Sequence, residues 1–229
     1  MTIQRTMDKL PALYHGTDAR FVRMSKEERM EYLNKCNKVI DYLWELFQPL
    51  WQKEEQQVTL PNGVKIFDTS SRKIEHLKSL FINAGKHELY NRLLSRLSMV
   101  DLWKKGSKWY QYDFLCVTGD KDKAERYAKR SFAGGEFGYI AYDLICAAEF
   151  LNLFINKPLE EISFYINEIK MFSNIQEPIV IIIDDLESEF LYEETSDKPF
   201  SEFSSDVIKH LSFKYKQEYT LNLDNAYYL

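Results

Sequence analysis

Apolar positions recur at helical spacing over much of the first half of the chain. Met30, Leu33, Ile40, Leu43, Phe47, Leu50 and Trp51 fall on one stripe, and Ser25 followed three residues later by Glu28 has the form of a capping box at its start. The pattern predicts one amphipathic helix to about residue 48, which Pro49 ends or kinks. A polar stretch over 53–63 closes on the turn signal Pro61-Asn62-Gly63, and Val64 to Phe67 reads as a short strand. A second helical block covers roughly 71–104. Ile74, Leu77, Leu80 and Phe81 begin its stripe, Leu89, Leu93, Leu94 and Leu97 continue it, and Gly85 divides it. Residues 11–17 ahead of these helices read as a strand running into a Gly turn. The segment 25–104 is thus expected to be a helical insertion or subdomain between the first strand and the rest.

The texture changes at Trp109. Tyr110, Tyr112 and Phe114 alternate with Gln111 and Asp113 and lead into Leu115-Cys116-Val117-Thr118, which is strand patterning. Asp120 or Asp122 then caps a short helix carrying Ala124, Tyr127 and Ala128. Gly134-Gly135 reads as a loop, with Glu136 beside it as a spare carboxylate. Tyr139 to Phe150 and Glu160 to Phe172 fit either strand or helix. Ile179 to Ile183 is a buried strand by its length and β-branching, 187–206 is an acidic loop, and Phe213 to Leu223 is a final strand. The fold class this implies is α+β.

Hydrophobic residues make up 45% of the 229, aromatic residues 15%, enough for a sizeable core. A net charge of −5 and a pI near 5.5 argue against general electrostatic binding to nucleic acid, though not against an enzyme that reads one base through a local basic patch. Cys36, Cys116 and Cys146 are odd in number and widely spaced, which fits neither a disulfide framework nor a zinc knuckle and points to a reducing compartment. No apolar run follows the N-terminus, and the longest apolar stretch is Ile179 to Ile183. The expectation is a cytoplasmic protein without membrane association. Asp184, Asp185, Glu187 and Glu189 have no His among them, so an acidic turn rather than a metal site is expected.

Three segments carry candidate chemistry. In Tyr14-His15-Gly16-Thr17, Gly16 lets another group approach the main chain, and a neutral imidazole at a strand end can bond a ribose hydroxyl; a turn-capping His is the plainer alternative. In Gln176-Glu177-Pro178-Ile179-Val180, a carboxylate stands at the mouth of an apolar strand, where it can accept from ribose hydroxyls and stabilise an oxocarbenium ion; a solvated loop Glu has the same sequence. In Ala124-Glu125-Arg126-Tyr127-Ala128, the two alanines let the helix lie close to the preceding strand, and Tyr127 offers either a flat wall to a planar cation or ordinary core packing.

In this order and spacing the three segments resemble the ADP-ribosyltransferase superfamily of the His-Tyr-Glu type, which includes diphtheria toxin and the poly(ADP-ribose) polymerases. His15 matches its first His, Tyr127 its second aromatic and Glu177 its late Glu. The place of its first middle Tyr falls near Cys116, leaving Phe114, Tyr112 or a residue of 132–142 to supply that ring. The resemblance implies a single domain over 1–229: two small antiparallel sheets around an NAD⁺ cleft, with the helical insertion at about 25–104. It implies that His15 holds the adenosine ribose and that Gly16 and Thr17 touch nicotinamide or its ribose. Tyr127 would stack on nicotinamide with a partner near Cys116 or Tyr112, and Glu177 would bond the nicotinamide ribose and stabilise its cation. With Tyr14, Cys116 and Thr118 these are the expected NAD-binding positions, Glu177 and His15 being catalytic. The implied activity is NAD⁺-dependent ADP-ribosylation of a macromolecule, protein or nucleic acid, in a toxin or effector with a possible neutralising partner protein. An NAD⁺ glycohydrolase, or a non-catalytic partner-binding module with a decayed cleft, is the alternative.

Overall fold

The computed structural model describes residues 12–53, 56–59, 61–68, 71–106, 115–154, 162–217 and 220–229. In chain order these form β1 (Leu13–Asp18), α1 (Ala19–Arg23), α2 (Lys26–Trp51), β2 (Gln56–Thr59), β3 (Lys65–Asp68), α3 (Lys78–Asn83), α4 (His87–Lys104), β4 (Leu115–Thr118) and α5 (Lys121–Arg130). There follow α6 (Glu136–Phe150), α7 (Ser163–Asn174), β5 (Pro178–Ile183), β6 (Leu191–Glu193), α8 (Ser205–Ile208), β7 (Ser212–Tyr215) and β8 (Ala226–Tyr228). The fold is mixed α+β. The described residues form two compact units, one drawn from within 1–31, 110–139 and 171–229, the other from within 32–109 and 140–170.

The first unit is built on one antiparallel sheet of order β6-β7-β4-β1-β5-β8. This corrects the expectation of two small sheets. The reason is a single stitch: β1 pairs with β5 along its whole length, from Leu13↔Ile183 to Asp18↔Pro178, but with β4 only at Tyr14↔Thr118 among the described residues. Two three-stranded halves therefore meet at one residue pair. Beyond it, toward Thr17 on β1 and Leu115 on β4, the strands part.

Side-chain alternation assigns the two faces of the sheet. Leu13, Leu115, Val117, Ile179, Ile181, Ile183 and Phe213 point into the main core, closed by Phe200 and Ile208. Val180 faces the other way, against Ala124 and Ala128 of α5, with Tyr14 and Tyr227 packed around them. Gly16 is what lets α5 lie on β1: a Cβ there would stand 1.9 Å from the Ala124 carbonyl oxygen and 2.7 Å from the Ala128 nitrogen. The close approach expected at Gly16 is thus made by a helix. Asp120 caps α5 by accepting from the Lys123 amide at 3.0 Å.

In α2 the capping box is present in both directions: the Ser25 amide donates to Glu28 Oε2 (2.7 Å), and the Glu28 amide donates to Ser25 Oγ (3.1 Å). The helix runs through Pro49 to Trp51, past the expected end, because Pro49 lies in its last turn. Gly85, at φ +67°, separates α3 from α4 as its spacing suggested. The two ambiguous apolar stretches are both helices, α6 and α7. In the second unit α6 places Asp143 beside Arg96 (3.1 Å) and Arg92 (3.4 Å). Burial pushes the Asp143 carboxyl up, and the two guanidiniums oppose that.

Three strand assignments change. The polar stretch 53–63 contains β2, paired with β3 around Gly63 at φ +80°. The acidic segment 187–206 contributes β6 at the sheet edge and the start of α8. The expected final strand stops at Tyr215, and a separate β8 pairs with β5 through Ile179↔Tyr228.

Candidate active site

His15 sits where the half-sheets part. Its Nδ1 lies 2.7 Å from the Cys116 carbonyl oxygen. A carbonyl can only accept, so Nδ1 carries the proton and, in the neutral ring, Nε2 is left as an acceptor. Burial lowers the imidazole's affinity for a second proton, and the bond to Cys116 offsets this in part. The unfolded chain therefore binds that proton more readily than the folded one. The stability due to neutral His15 is complete above its ordinary value of 6.5 and is lost as pH falls from there toward the lowered value. Thermal melts at about pH 7.5 and about pH 5.5 should show a larger acid-side loss for the wild type than for His15→Gln. Equal losses would mean that His15 is not held neutral.

The sheet face away from the main core carries two cross-strand rows next to this point. One is Cys116, Lys214 and Tyr192; the other is Thr118, Ser212 and Glu194, whose amide donates to the Ser212 carbonyl at 3.0 Å. Tyr127 reaches over from α5, 43% exposed. Cys116 has accessible surface, yet desolvation first, then the carboxylates of Glu194 and Glu136, push its thiol up to about 12. Glu194 lies on the same face. Burial and the like charge of Glu136 push the Glu194 carboxyl up, against the pull of Lys123 and Lys214. Lys214 is ion-paired to Asp197.

Glu177 lies at the end of the sheet toward which β1 and β4 part. Pro178 pairs with Asp18 while His15 pairs with Ile181, so Glu177 stands four registers from His15, about 13 Å at the usual strand rise. Its amide donates to Asp18 Oδ2 (3.0 Å) and its carbonyl accepts from the Ala19 amide (2.9 Å). Arg23 Nη1 donates to its Oε2 at 2.6 Å and Arg23 Nη2 to the Tyr228 hydroxyl at 2.9 Å. Glu177 Oε1 takes no hydrogen bond from the described residues.

Asp18 is 1% exposed and clamps Arg20 through paired contacts, Nε to Oδ1 and Nη2 to Oδ2, each 2.9 Å. Arg20 in turn donates to the carbonyls of Phe172 (2.6 Å) and Phe132 (3.1 Å) and lies over the Phe172 ring. One buried acid thus fixes both the backbone of Glu177 and the segment that leads to Glu136.

The structure brings the His15 ring to the Cys116 carbonyl and Tyr127 to the sheet face that carries the Cys116 side chain, whereas His15 alternates with Tyr14 onto the face of Leu13 and Ile181; Glu177 lies at the end of β5 toward which β1 and β4 part. The other expected binding residues build the frame: Tyr14 packs under α5, Thr17 is buried, and the Thr118 hydroxyl donates to the Leu211 carbonyl (2.8 Å) while accepting from the Asp120 amide (3.2 Å). Tyr112 and Phe114 lie outside the described residues. Sequence reasoning missed Asp18, Glu194, Ser212 and Lys214; the polar–apolar alternation of Ser212-Phe213-Lys214-Tyr215 was the only signal for the last two. A separate pocket of about 490 Å³, lined by Ile181, Asp184, Asp185, Leu221, Asn222 and Asn225, lies at the opposite end of β5 from Glu177.

Among the described residues no group of three His, Cys, Asp or Glu is placed to hold a metal, and no helix is long and apolar enough to cross a membrane. No protein-family model, curated protein or solved structure matches the chain.

Proposed function

We propose that the protein is an NAD⁺-dependent ADP-ribosyltransferase acting on a macromolecule. The observation that carries this reading is the parting of β1 from β4 beyond Tyr14↔Thr118, with His15 bonded across it so that Nε2 remains an acceptor. An extended dinucleotide needs a long slot with separate polar holds along it. His15 supplies a hold for a ribose hydroxyl, Tyr127 a wall for a planar ring, and Glu177 Oε1 an acceptor further along.

In the reaction the C–N bond between ribose and nicotinamide breaks, and its electron pair leaves with nicotinamide, which departs neutral. The positive charge passes to the ribose as an oxocarbenium ion. An acceptor oxygen or nitrogen then bonds the anomeric carbon and gives up its proton to solvent. No covalent enzyme nucleophile is required. Glu177 stabilises the developing cation by its charge and holds the ribose by a hydrogen bond, and the strands supply position.

Incubating the protein with biotinylated NAD⁺ and a cell lysate tests this. Label on a macromolecule that is lost in His15→Ala is the expected result, and its sensitivity to protease or nuclease assigns the acceptor class. Nicotinamide release without any label would instead assign ADP-ribose transfer to water. Neither label nor nicotinamide would overturn the enzyme reading.

A further inference from the structure

The outer face of α5 carries a row of cations that the helix itself does not need. Ala124 and Ala128 are buried against Val180 and Gly16, so the residues half a turn away face solvent. There stand Arg126, Lys129 and Arg130, all exposed, and half-buried Lys123, with Asp122 the one acid among them. Glu125 lies on the flank, 4.0 Å from Lys121 and accepting from the Tyr227 hydroxyl at 3.3 Å, so its charge is taken up there. Arg126 comes no closer than 4.0 Å to Asp120, and Lys129 and Arg130 make no ion pair with a described residue. The helix dipole favours Lys129 and Arg130 in the last turn but disfavours Lys121 and Lys123 in the first. Helix stability therefore does not explain the row, and on a chain of net charge −5 it is a local exception.

Tyr127 borders the row, at i+4 from Lys123 and i−3 from Arg130, and is 43% exposed. Cations at one-turn intervals suit a chain of phosphates, and the Arg forks match phosphate oxygens. An exposed ring among them serves a partner with bases to stack and does nothing for one that offers only carboxylates. We propose that the outer face of α5 docks a single-stranded nucleic acid, with Lys123, Arg126, Lys129 and Arg130 on the phosphates and Tyr127 against a base. A duplex would keep its bases stacked on one another and leave Tyr127 unused. Tyr127 is also the ring offered to NAD⁺ above, so binding is measured without NAD⁺ and the inference stands apart from the transferase reading.

Fluorescence anisotropy of labelled oligo(dT) and oligo(U), each of about twelve residues, tests this. Wild-type protein should bind such strands, with a slope of log K against log salt of about −2 to −3 for roughly three or four neutralised phosphates. Arg126→Gln combined with Arg130→Gln should weaken binding about tenfold or more and flatten the slope by about one. Tyr127→Leu should weaken it about fivefold or more and leave the slope unchanged. Polyglutamate of equal charge should bind more weakly than the strands and should not respond to Tyr127→Leu. Circular dichroism melts check that the variants are folded. A preference for oligo(U) or for oligo(dT) supports the proposal and names the sugar. Neither strand bound by the wild type, full binding by the double variant, or no response to Tyr127→Leu would overturn it. Polyglutamate bound as tightly as the strands would assign the face to an acidic protein and overturn it too. Nicotinamide release plays no part in these outcomes, so the transferase reading stands or falls separately.

Discussion

Replacing Glu177 by Gln is expected to lower nicotinamide release from NAD⁺ by about 10²–10³-fold with little change in KM for NAD⁺. Gln has the same shape, and its amide oxygen can still accept from Arg23, which holds Oε2 at 2.6 Å in the wild type. The backbone bonds to Asp18 and Ala19 do not involve the side chain and persist. What disappears is the negative charge beside the ribose. That charge matters more as positive charge grows on the anomeric carbon, so the loss belongs in kcat rather than in ground-state binding. A Glu177→Gln protein that releases nicotinamide at the wild-type rate would remove Glu177 from the chemistry and leave it as the partner of Arg23.

Asp18→Ala should destabilise the protein by about 3–5 kcal/mol, the cost of leaving a buried guanidinium without its carboxylate. Arg20 is mostly buried, at 16% side-chain exposure, and Asp18 accepts from its amide and from two of its guanidinium nitrogens. The remaining Arg20 contacts, to the carbonyls of Phe172 and Phe132, neutralise no charge. The Glu177 amide loses its acceptor in the same change. Urea denaturation of the two proteins measures the difference. A loss below about 1 kcal/mol would show that water reaches Arg20 in the folded protein. Since Asp18 also holds Arg20, which donates to the Phe132 carbonyl, whatever folded variant remains should bind NAD⁺ more weakly as well.

Local signals in the sequence were reliable where one residue settles a local conformation. Ser25 and Glu28 begin α2, Gly85 splits a helical block, Asp120 caps α5, and the β-branched run to Ile183 is β5. The apolar stretch of α6 stayed ambiguous because Ile140, Ala141, Leu144, Ile145, Ala147 and Ala148 are all buried, so no polar face marks a period. β6 and β8, each three residues long, draw their order from partners far along the chain and have little pattern of their own. The candidate site was legible to the extent that its residues lie in short contiguous segments, in β1, β4 and α5 and just ahead of β5. His15, Cys116, Tyr127 and Glu177 could be named because each stands within a short contiguous motif. Glu194 and Ser212 could not, since only the antiparallel pairing of β6 with β7 makes them neighbours. Asp18 reads as a turn acid after Gly16-Thr17, and its burial follows from Arg20 folding back onto it.

Hydrogen exchange with and without a saturating non-hydrolysable NAD⁺ analogue is the most direct test of whether the parting of the half-sheets is the dinucleotide site. Exchange should slow at Leu13–Asp18, at Leu115–Thr118 and in α5, with little change at 181–185 and 220–225. No slowing at all, or slowing confined to the pocket between Ile181 and Asn225, would contradict it.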